Sequence, residues 1–571
     1  MKIKLPKDLR GVVFPRVLTI ELNDFDIDLF LAPLFFKVLG EGRQRARRVN
    51  DPEAIASYID QLAAHTALEG FDDPDGHRIL ERLVRTTLIV TGRVGRARRG
   101  EQILSTAPYT LLSHKPGFPT EGRRQRGADT FIYQALRERL GADDVLRTHV
   151  KQVFGHGVNI GPVPRLGGEY DGVTELDTLT RLSIAFLDGF ESTAVGARRP
   201  KKPPPNACPA LSMELATDLI RYLFAFYSLM PVQALTYNLL ALINFELFNY
   251  TLKLVHAINS LVQEPDTLPP AMQDALVPSG PQLYLDFTGV PGSLSQEMAN
   301  AGVRRDLEAY QQFLTSNLLL RQLDKYIEAL RRNRRRREEI DYVLDPEGSG
   351  PSYLQGLLLL QDDPTFSSEL EASARTDENR IRDEYIDPDT EQDETEELLW
   401  LDQIVDMAET DIERVVTLLV EGQRKNALEN YVRWYWGVGG LNKQHGVLTG
   451  TLSSRQTWRY APSNDLLAVL VQLAAARISS ADDSSSRNTA QIKSIRLQDF
   501  LIFLEKRFGI LVDRPPEPFE GADYAAAARD NLRAMLKRLR QMGIFRDLSD
   551  DFTVQRLHPP YSDEVTARVE F

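Results

Sequence analysis

The chain has 571 residues, more than one core needs, so two to four domains are expected. Its composition, 42% hydrophobic and 26% charged, is that of a soluble globular protein, and the single Cys208 excludes a disulfide framework or a thiolate zinc cluster. The net charge of −13 hides an asymmetry: residues 1–340 carry 43 basic and 40 acidic groups, residues 341–571 carry 25 and 41.

The N-terminus, MKIKLPKDLRGVVFPRV, is basic but has no apolar run of signal-peptide length and no small-residue cleavage site, so a cytoplasmic location is expected. The next acids, Asp24, Asp26 and Asp28, alternate as they would along one strand face, or as surface acids do. Asn50 to His65 reads as a helix with Ile55, Tyr58, Ile59 and Leu62 on one face. Asp75 to about Thr91 reads as another, although Leu88-Ile89-Val90 equally suits a short strand. Glycine spacing from Gly92 to Gly117, with Tyr109 to Leu112, predicts a short hairpin. Helices follow over 128–140, 143–154 and 174–187.

Gly196 to Pro209, GARRPKKPPPNACP, cannot be regular structure and marks a boundary. Tyr222 to Phe245 carries no charge and is long enough to span a bilayer. Pro231 interrupts it, however, and polar Ser228, Gln233, Asn238 and Asn244 dot it, so two buried helices meeting at Met230-Pro231 are expected. Gln282 to Phe287 is a candidate strand, and Arg304 to about Ile340 reads as one long helix. Asp377 to Glu413 holds sixteen acids and two arginines; its first half reads as a mobile acidic linker. Helical periodicity returns from Leu398 into the aromatic run 431–436, and 479–491 is a serine-rich loop. The resulting expectation is a mainly α, multidomain chain with minor β. Its parts are an N-terminal helical domain with a small β element (1–195), a proline-rich linker (196–209), an apolar hairpin and long helix (210–345), an acidic linker (346–397), a helical and aromatic segment (398–478) and a C-terminal region (479–571, its first helix beginning near 465).

That C-terminal region has the element order of a winged helix-turn-helix: helices at 465–477, 497–508 and 523–542, the last two stopped by Gly509 and Gly543, then turn residues Asp547 to Asp551 between two short apolar runs. In the third helix Leu532, Met535, Leu536 and Leu539 make a core face, while Arg529, Arg533, Lys537 and Arg540 make a basic stripe. Such a stripe suits DNA phosphates; the alternative is a solvated face on a packing helix, which the nearby acids Asp513, Glu517 and Asp547 favour.

Basic residues gather in five further places. These are Arg43, Arg45, Arg47 and Arg48; Arg93, Arg96, Arg98 and Arg99; Arg123, Arg124 and Arg126; Arg198, Arg199, Lys201 and Lys202; and Arg331, Arg332, Arg334, Arg335, Arg336 and Arg337. Four lie beside glycine or proline, in loops that can converge on one ligand, and guanidinium pairs well with phosphate. Each alone equally suits a solvated loop. The run 331–337 would coat every face of a helix end, so it needs an anion, either double-stranded DNA or the chain's own acidic linker.

No chemistry-bearing motif stands out. The eight histidines show no metal-ligand pairing, and HExxH, GxxxxGK[ST] and GxSxG are absent. No catalytic residue, metal or cofactor is therefore assigned. Asp286 is the clearest carboxylate in a strand setting for a metal-dependent nuclease, but no lysine lies between Lys253 and Lys325.

The stretches SYIDQLAAH, TGRVGRARRGEQIL, VTELDTLTRLSIAFLDGF, MPVQALTYNLLALINFELF and LQDFLIFLEKRFGILVDRPP together resemble the seventh component of bacterial methylation-associated defence systems. The resemblance implies an antiphage, restriction-modification-related role beside a DNA methyltransferase, a specificity-type subunit, a kinase and ATP-binding proteins, and it brings no catalytic residues. A helical N-terminal part, an acidic linker and a C-terminal winged helix are also similar in plan to bacterial kleisins, which bridge the heads of SMC-type ATPases. The expectation is a non-enzymatic DNA-binding or scaffolding subunit with an ATPase partner from the same operon, no membrane contact and homo-oligomerisation left open. The alternatives are a metal-dependent nuclease effector and a purely protein-binding adaptor.

Overall fold

The structure, a computed structural model, describes residues 3–43, 59–64, 70–87, 89–90, 102–103, 108–115, 125–163, 166–188, 195–196, 205–273, 280–344, 350–385, 396–482, 492–546 and 555–562. The chain starts irregularly, burying Ile3, Leu5, Leu9, Phe14 and Val17 without a strand. Asp24, Asp26 and Asp28 form no strand face: Asp26 caps a single 3-10 turn by accepting from the Asp28 amide. Helix α1 (Leu31–Leu39) follows, buried along its whole length.

Helix α2 (Pro74–Thr87) leads into β1 (Ile89–Val90), which pairs antiparallel with β2 (Gln102–Ile103); the β-branched run is thus strand, as one of its two readings had it. Tyr109 to Leu112 is not a hairpin arm. Thr110 accepts from the Leu112 amide and opens a 3-10 turn over Leu111–His114. Helices α3 (Ala128–Leu140) and α4 (Asp143–Phe154) stand where the pattern puts them, and β3 (Val158–Asn159) pairs antiparallel with β4 (Glu169–Tyr170). Helix α5 (Thr178–Asp188) starts later than periodicity suggests because the Asp177 carboxylate accepts from the amides of Leu179 and Thr180 and fixes the first turn there.

The uncharged stretch forms two helices, α6 (Pro209–Phe226) and α7 (Val232–Gln263), with Pro231 at the junction. Among the described residues no helix is long and apolar enough to cross a membrane. Strand β5 (Leu283–Tyr284) precedes helix α8 (Leu294–Leu330), which begins ten residues before Arg304 because Ser293 caps it through the Gln296 amide. The expected single helix to Ile340 is broken. The chain leaves α8 after Leu330, and Asn333 caps a separate helix α9 (Arg334–Val343) by accepting from the Arg335 amide.

Helices α10 (Gly350–Asp362) and α11 (Ser367–Asp383) come next, so residues 377–383, expected in a mobile linker, are helical. Their acids are tied down: Asp377 receives Lys325 Nζ at 2.7 Å and the Tyr326 hydroxyl at 3.1 Å, and Glu378 receives Arg382 and Arg414. The acid-rich residues 386–395 and the serine-rich 483–491 lie outside the described residues. Helices α12 (Glu396–Val405) and α13 (Asp411–Val438) lead to the hairpin β6 (Leu448–Thr451) and β7 (Ser454–Tyr460). Then come α14 (Asn464–Asp482), β8 (Ile495–Arg496), α15 (Leu497–Phe508), β9 (Ile510–Leu511), α16 (Ala522–Gln541) and β10 (Arg556–Leu557).

One buried apolar cluster runs from Ile3 to Leu557; α7 lies in it with most of its length buried, and α8 contributes one buried face. Each fully buried Leu or Phe there contributes about 1.5–3 kcal/mol relative to exposure. One pairing binds the C-terminal elements to earlier chain and another closes among them. Strand β9 pairs in parallel with β5, Leu283 opposite Ile510 and Tyr284 opposite Leu511. Strand β10 pairs antiparallel with β8, and Phe545 bridges to Leu557.

Candidate nucleic-acid interface

Helix α16 divides its side chains as the sequence predicts. Leu532, Met535 and Leu539 of the expected core face are buried and Leu536 is half-buried; Asn531, which the sequence did not single out, is buried with them, while Arg529, Arg533, Lys537 and Arg540 are exposed. The buried face is held by more than apolar contact. Asn531 Nδ2 donates to the carbonyls of Leu285 (2.8 Å) and Val512 (3.1 Å), and its Oδ1 accepts from the Phe287 amide at 2.7 Å, so one side chain satisfies the ends of both β5 and β9. Arg538, beside the stripe, is turned inward: it donates to Asn464 and lies over the Phe287 ring at 5.9 Å, and burial lowers its pKa.

On the outer face Arg533 pairs with Asp530 at 2.8 Å, a bond between two largely exposed side chains that water screens to little net value. Arg540 lies over Phe545 at 5.1 Å. Arg529 and Lys537 make no ion pair with the described residues. This face is cationic and open, and it stands on a helix whose register is fixed from behind.

The run Arg331 to Arg337 is differently built. Arg331 is 13% exposed and donates to Glu328 (2.6 Å) and Asp341 (2.9 Å), closing the break between α8 and α9. Arg336 reaches Glu339 at 2.7 Å and also Glu369 of α11, and it lies over Phe366 at 5.4 Å. Hydrogen bonds to these two carboxylates raise its pKa. Arg334, Arg335 and Arg337 face outward, paired loosely along the helix with Glu338 (3.9 Å), Glu339 (3.6 Å) and Asp341 (3.6 Å); Arg332 is exposed. The anions this run needs are thus partly its own neighbours. Its cations also open a helix instead of closing one, the unfavourable end of the dipole.

The remaining clusters divide between structural arginines and undescribed chain. Arg43, 12% exposed, pairs with Glu41 at 3.1 Å. Arg126 clamps Glu21 (3.1 Å) and Asp24, and its Nε donates to the Asp24 carbonyl, tying the entry of α3 to the N-terminal strap. Arg45, Arg47, Arg48, Arg93, Arg96, Arg98, Arg99, Arg123, Arg124, Arg198, Arg199, Lys201 and Lys202 lie outside the described residues. The two described basic surfaces are far apart. Ala528 of α16 packs with Met298 and Ala299 near the start of α8, whereas α9 follows its end, about 45 Å of helix away.

Sequence reading missed the charges that the interior holds. Arg507 Nε donates to Asp218 at 2.7 Å and Nη2 to Glu246 at 2.8 Å, all three side chains at most 3% exposed; Arg477 joins Asp218 and Glu214. Lys253 Nζ donates to the Arg507 carbonyl at 2.8 Å. Burial first, and then the charge of Arg507, depress the Lys253 pKa to about 7, while burial holds the Glu246 carboxyl well above its ordinary range. A second cluster joins His256 Nε2 and Arg305 to the fully buried Asp306, each within 2.9 Å, with the Tyr460 hydroxyl donating to the same carboxylate. Burial opposes the Asp306 charge, but the bonds from His256 and Arg305 prevail and keep its pKa low. The signal was available: Glu246 and Lys253 are charges inside an apolar helix and need buried partners.

Nothing among the described residues gathers three His, Cys, Asp or Glu side chains as a metal site. Asp286 is 2% exposed and is occupied with Thr288 and Ser295. Burial pushes the Cys208 thiol up to about 12.

The family model of the methylation-associated defense system protein MAD7 matches residues 7–561, nearly the whole chain. The chain belongs to that family. No curated protein and no solved structure matches it. Membership makes the chain a component of a defence system, with partners in that system, and agrees with the resemblance read from its sequence stretches.

Proposed function

We propose that the protein is a non-enzymatic DNA-binding or scaffolding subunit of its antiphage defence complex, and that α16 is its duplex-facing element. The observation that carries this reading is the division of α16: four outward cations in register on a helix that Asn531 locks from behind. The order of elements from α14 to β10, with β8, Phe545 and β10 in one antiparallel set, supports a winged helix-turn-helix in which α16 is the third helix. Energy would come from an ATPase partner, since the sequence holds no Walker loop. The domain plan in which 479–571 forms the DNA-facing region belongs to the same reading.

A protein-binding adaptor is the second reading, favoured by the run 331–337, where Arg331 and Arg336 are satisfied by the protein's own carboxylates. Titration of the purified chain with duplex DNA across a salt series separates the two. The DNA reading expects affinity that falls steeply with salt, each neutralised phosphate adding about −0.9 to the log–log slope. It also expects that Arg529→Glu with Lys537→Glu removes most of the binding. An adaptor shows no DNA affinity even at low salt.

A further inference from the structure

Residues 430–464 contain no aspartate or glutamate, in a chain with 81 of them. The same stretch holds Arg433, Lys443, Arg455 and Arg459 and is rich in Ser, Thr, Asn and Gln. Its centre is the hairpin β6–β7, whose inner half packs against α8 while its tip stands exposed as a short arm. Thr451, Leu452, Ser453, Arg455, Gln456 and Thr457 are exposed on both faces of the ribbon, Leu452 to 61%.

The arm is braced and deeply rooted. Trp458 Nε1 donates to the Thr451 carbonyl at 2.8 Å, and Asn442 exchanges two hydrogen bonds with the Gly450 backbone. At the root, Tyr460 is fully buried and bonds through its hydroxyl to Tyr435 (2.6 Å) and Asp306. Its carbonyl accepts from the Asp286 amide at 2.8 Å, and the next amide, that of Phe287, is held by Asn531 of α16. The arm and the basic helix are thus fixed to one another through two consecutive residues, Asp286 bonded to Tyr460 and Phe287 bonded to Asn531. Arg455 stands five residues beyond Tyr460, roughly 17 Å out along the strand.

We infer that this hairpin, with the turn that leads into it, is a second DNA-contacting element, in which Arg455 at the hairpin tip and Lys443 in the turn meet backbone phosphates beside the duplex segment held by α16. The inference rests on the proposed DNA-binding role. Three features carry it: a tip, residues 451–457, without acidic side chains of its own, the outward cations Arg455 and Lys443 (Arg433 and Arg459 are paired with Glu429 and Asp286), and a surface of hydroxyl and amide donors of the kind that position a protein on the backbone. Among the described residues neither Arg455 nor Lys443 makes an ion pair, so both charges are available to a ligand.

The test is duplex binding of the full chain across a salt series, for wild type, for Lys443→Glu with Arg455→Glu, and for the α16 pair Arg529→Glu with Lys537→Glu. A further double variant, Arg424→Glu with Lys425→Glu on α13, controls for net charge. The arm variant is expected to lose at least about tenfold in affinity at low salt and to flatten the log–log slope by roughly two, at unchanged melting temperature. The charge control is expected to lose much less. If the α16 pair abolishes binding while the arm variant keeps wild-type affinity and slope, or if the control loses as much as the arm, the arm is not a DNA contact although the protein binds DNA. If the wild type does not bind at low salt, the DNA-binding role fails and the arm's role with it.

Discussion

Arg507 of α15 donates to Asp218 of α6 at 2.7 Å across 289 residues of chain, with the carboxylate wholly removed from water. Glu246 and Arg477 complete the group, so α6, α7, α14 and α15 meet on buried charge as well as on apolar surface. Desolvating such charges costs several kcal/mol each, and the pair is favourable only while its geometry and remaining bonds are intact.

Removing one partner is therefore expected to cost more than removing both. Arg507→Met alone leaves Glu246 without its cation and Asp218 with Arg477 only, and should destabilise the protein by about 3–5 kcal/mol in urea unfolding. Arg507→Met combined with Asp218→Leu and Glu246→Gln should recover a large part of that loss. A triple variant less stable than the single would show that the charges are independent.

Lys253 gives the same junction a pH dependence. Its folded pKa of about 7 lies below the unfolded value of 10.5, so the unfolded chain binds more protons between those limits and stability from this group rises with pH. The gain is present in full above pH 10.5 and is lost as pH falls toward 7. Glu246, with its raised pKa, acts in the opposite sense above the ordinary carboxylate range. In Lys253→Met the lysine contribution vanishes. The wild type should then gain stability relative to the variant steadily from pH 7 to pH 9, measured by denaturant midpoints; a constant difference would show that Lys253 is not desolvated.

The contrast with the sequence follows from what each pattern encodes. Pro231 divides α6 from α7, and Gly509 ends α15 with φ 73°, because both are local constraints on φ. Helix α8 differs from the periodic pattern at both ends, because Ser293 starts it early and Asn333 starts a separate helix α9 after the break, and single polar caps are weak signals in a long periodic run. Residues 377–383 looked like a solvated acidic tract. Their helix is fixed by Lys325, Tyr326 and Arg414, which composition alone does not place. The stripe on α16 was legible because helical periodicity sorts it from the core face; its anchor, Asn531, was not, because a buried amide has no sequence signature apart from its partners.

Asn531 therefore makes a sharp prediction. Asn531→Ala leaves the Phe287 amide and the carbonyls of Leu285 and Val512 without a partner in a buried position. A cost of about 3 kcal/mol or more is expected, given roughly 1–3 kcal/mol for each buried polar group left unmet. Asn531→Asp keeps the acceptor for Phe287 but loses both donations and should be nearly as damaging. Amide exchange should quicken selectively in β5 and β9, and uniform acceleration would indicate global destabilisation instead.

The arginines at the start of α9 provide the remaining contrast, between cations that hold the fold and cations that face solvent. Arg331 spans Glu328 and Asp341 and is 13% exposed, whereas Arg334 and Arg335 are 96% and 88% exposed and their carboxylates stand 3.6–3.9 Å away. Exposed pairs at that distance contribute about 0.3–0.5 kcal/mol at most, and the dipole at a helix start works against arginine. Arg331→Ala should therefore lower thermal stability by about 1–3 kcal/mol, while Arg334→Ala with Arg335→Ala should leave it within about 0.5 kcal/mol of wild type or raise it slightly. The same double variant in a DNA titration decides whether these two cations serve phosphate: reduced affinity at unchanged stability would give α9 a ligand role, and unchanged affinity would remove Arg334 and Arg335 from the DNA-contacting surface.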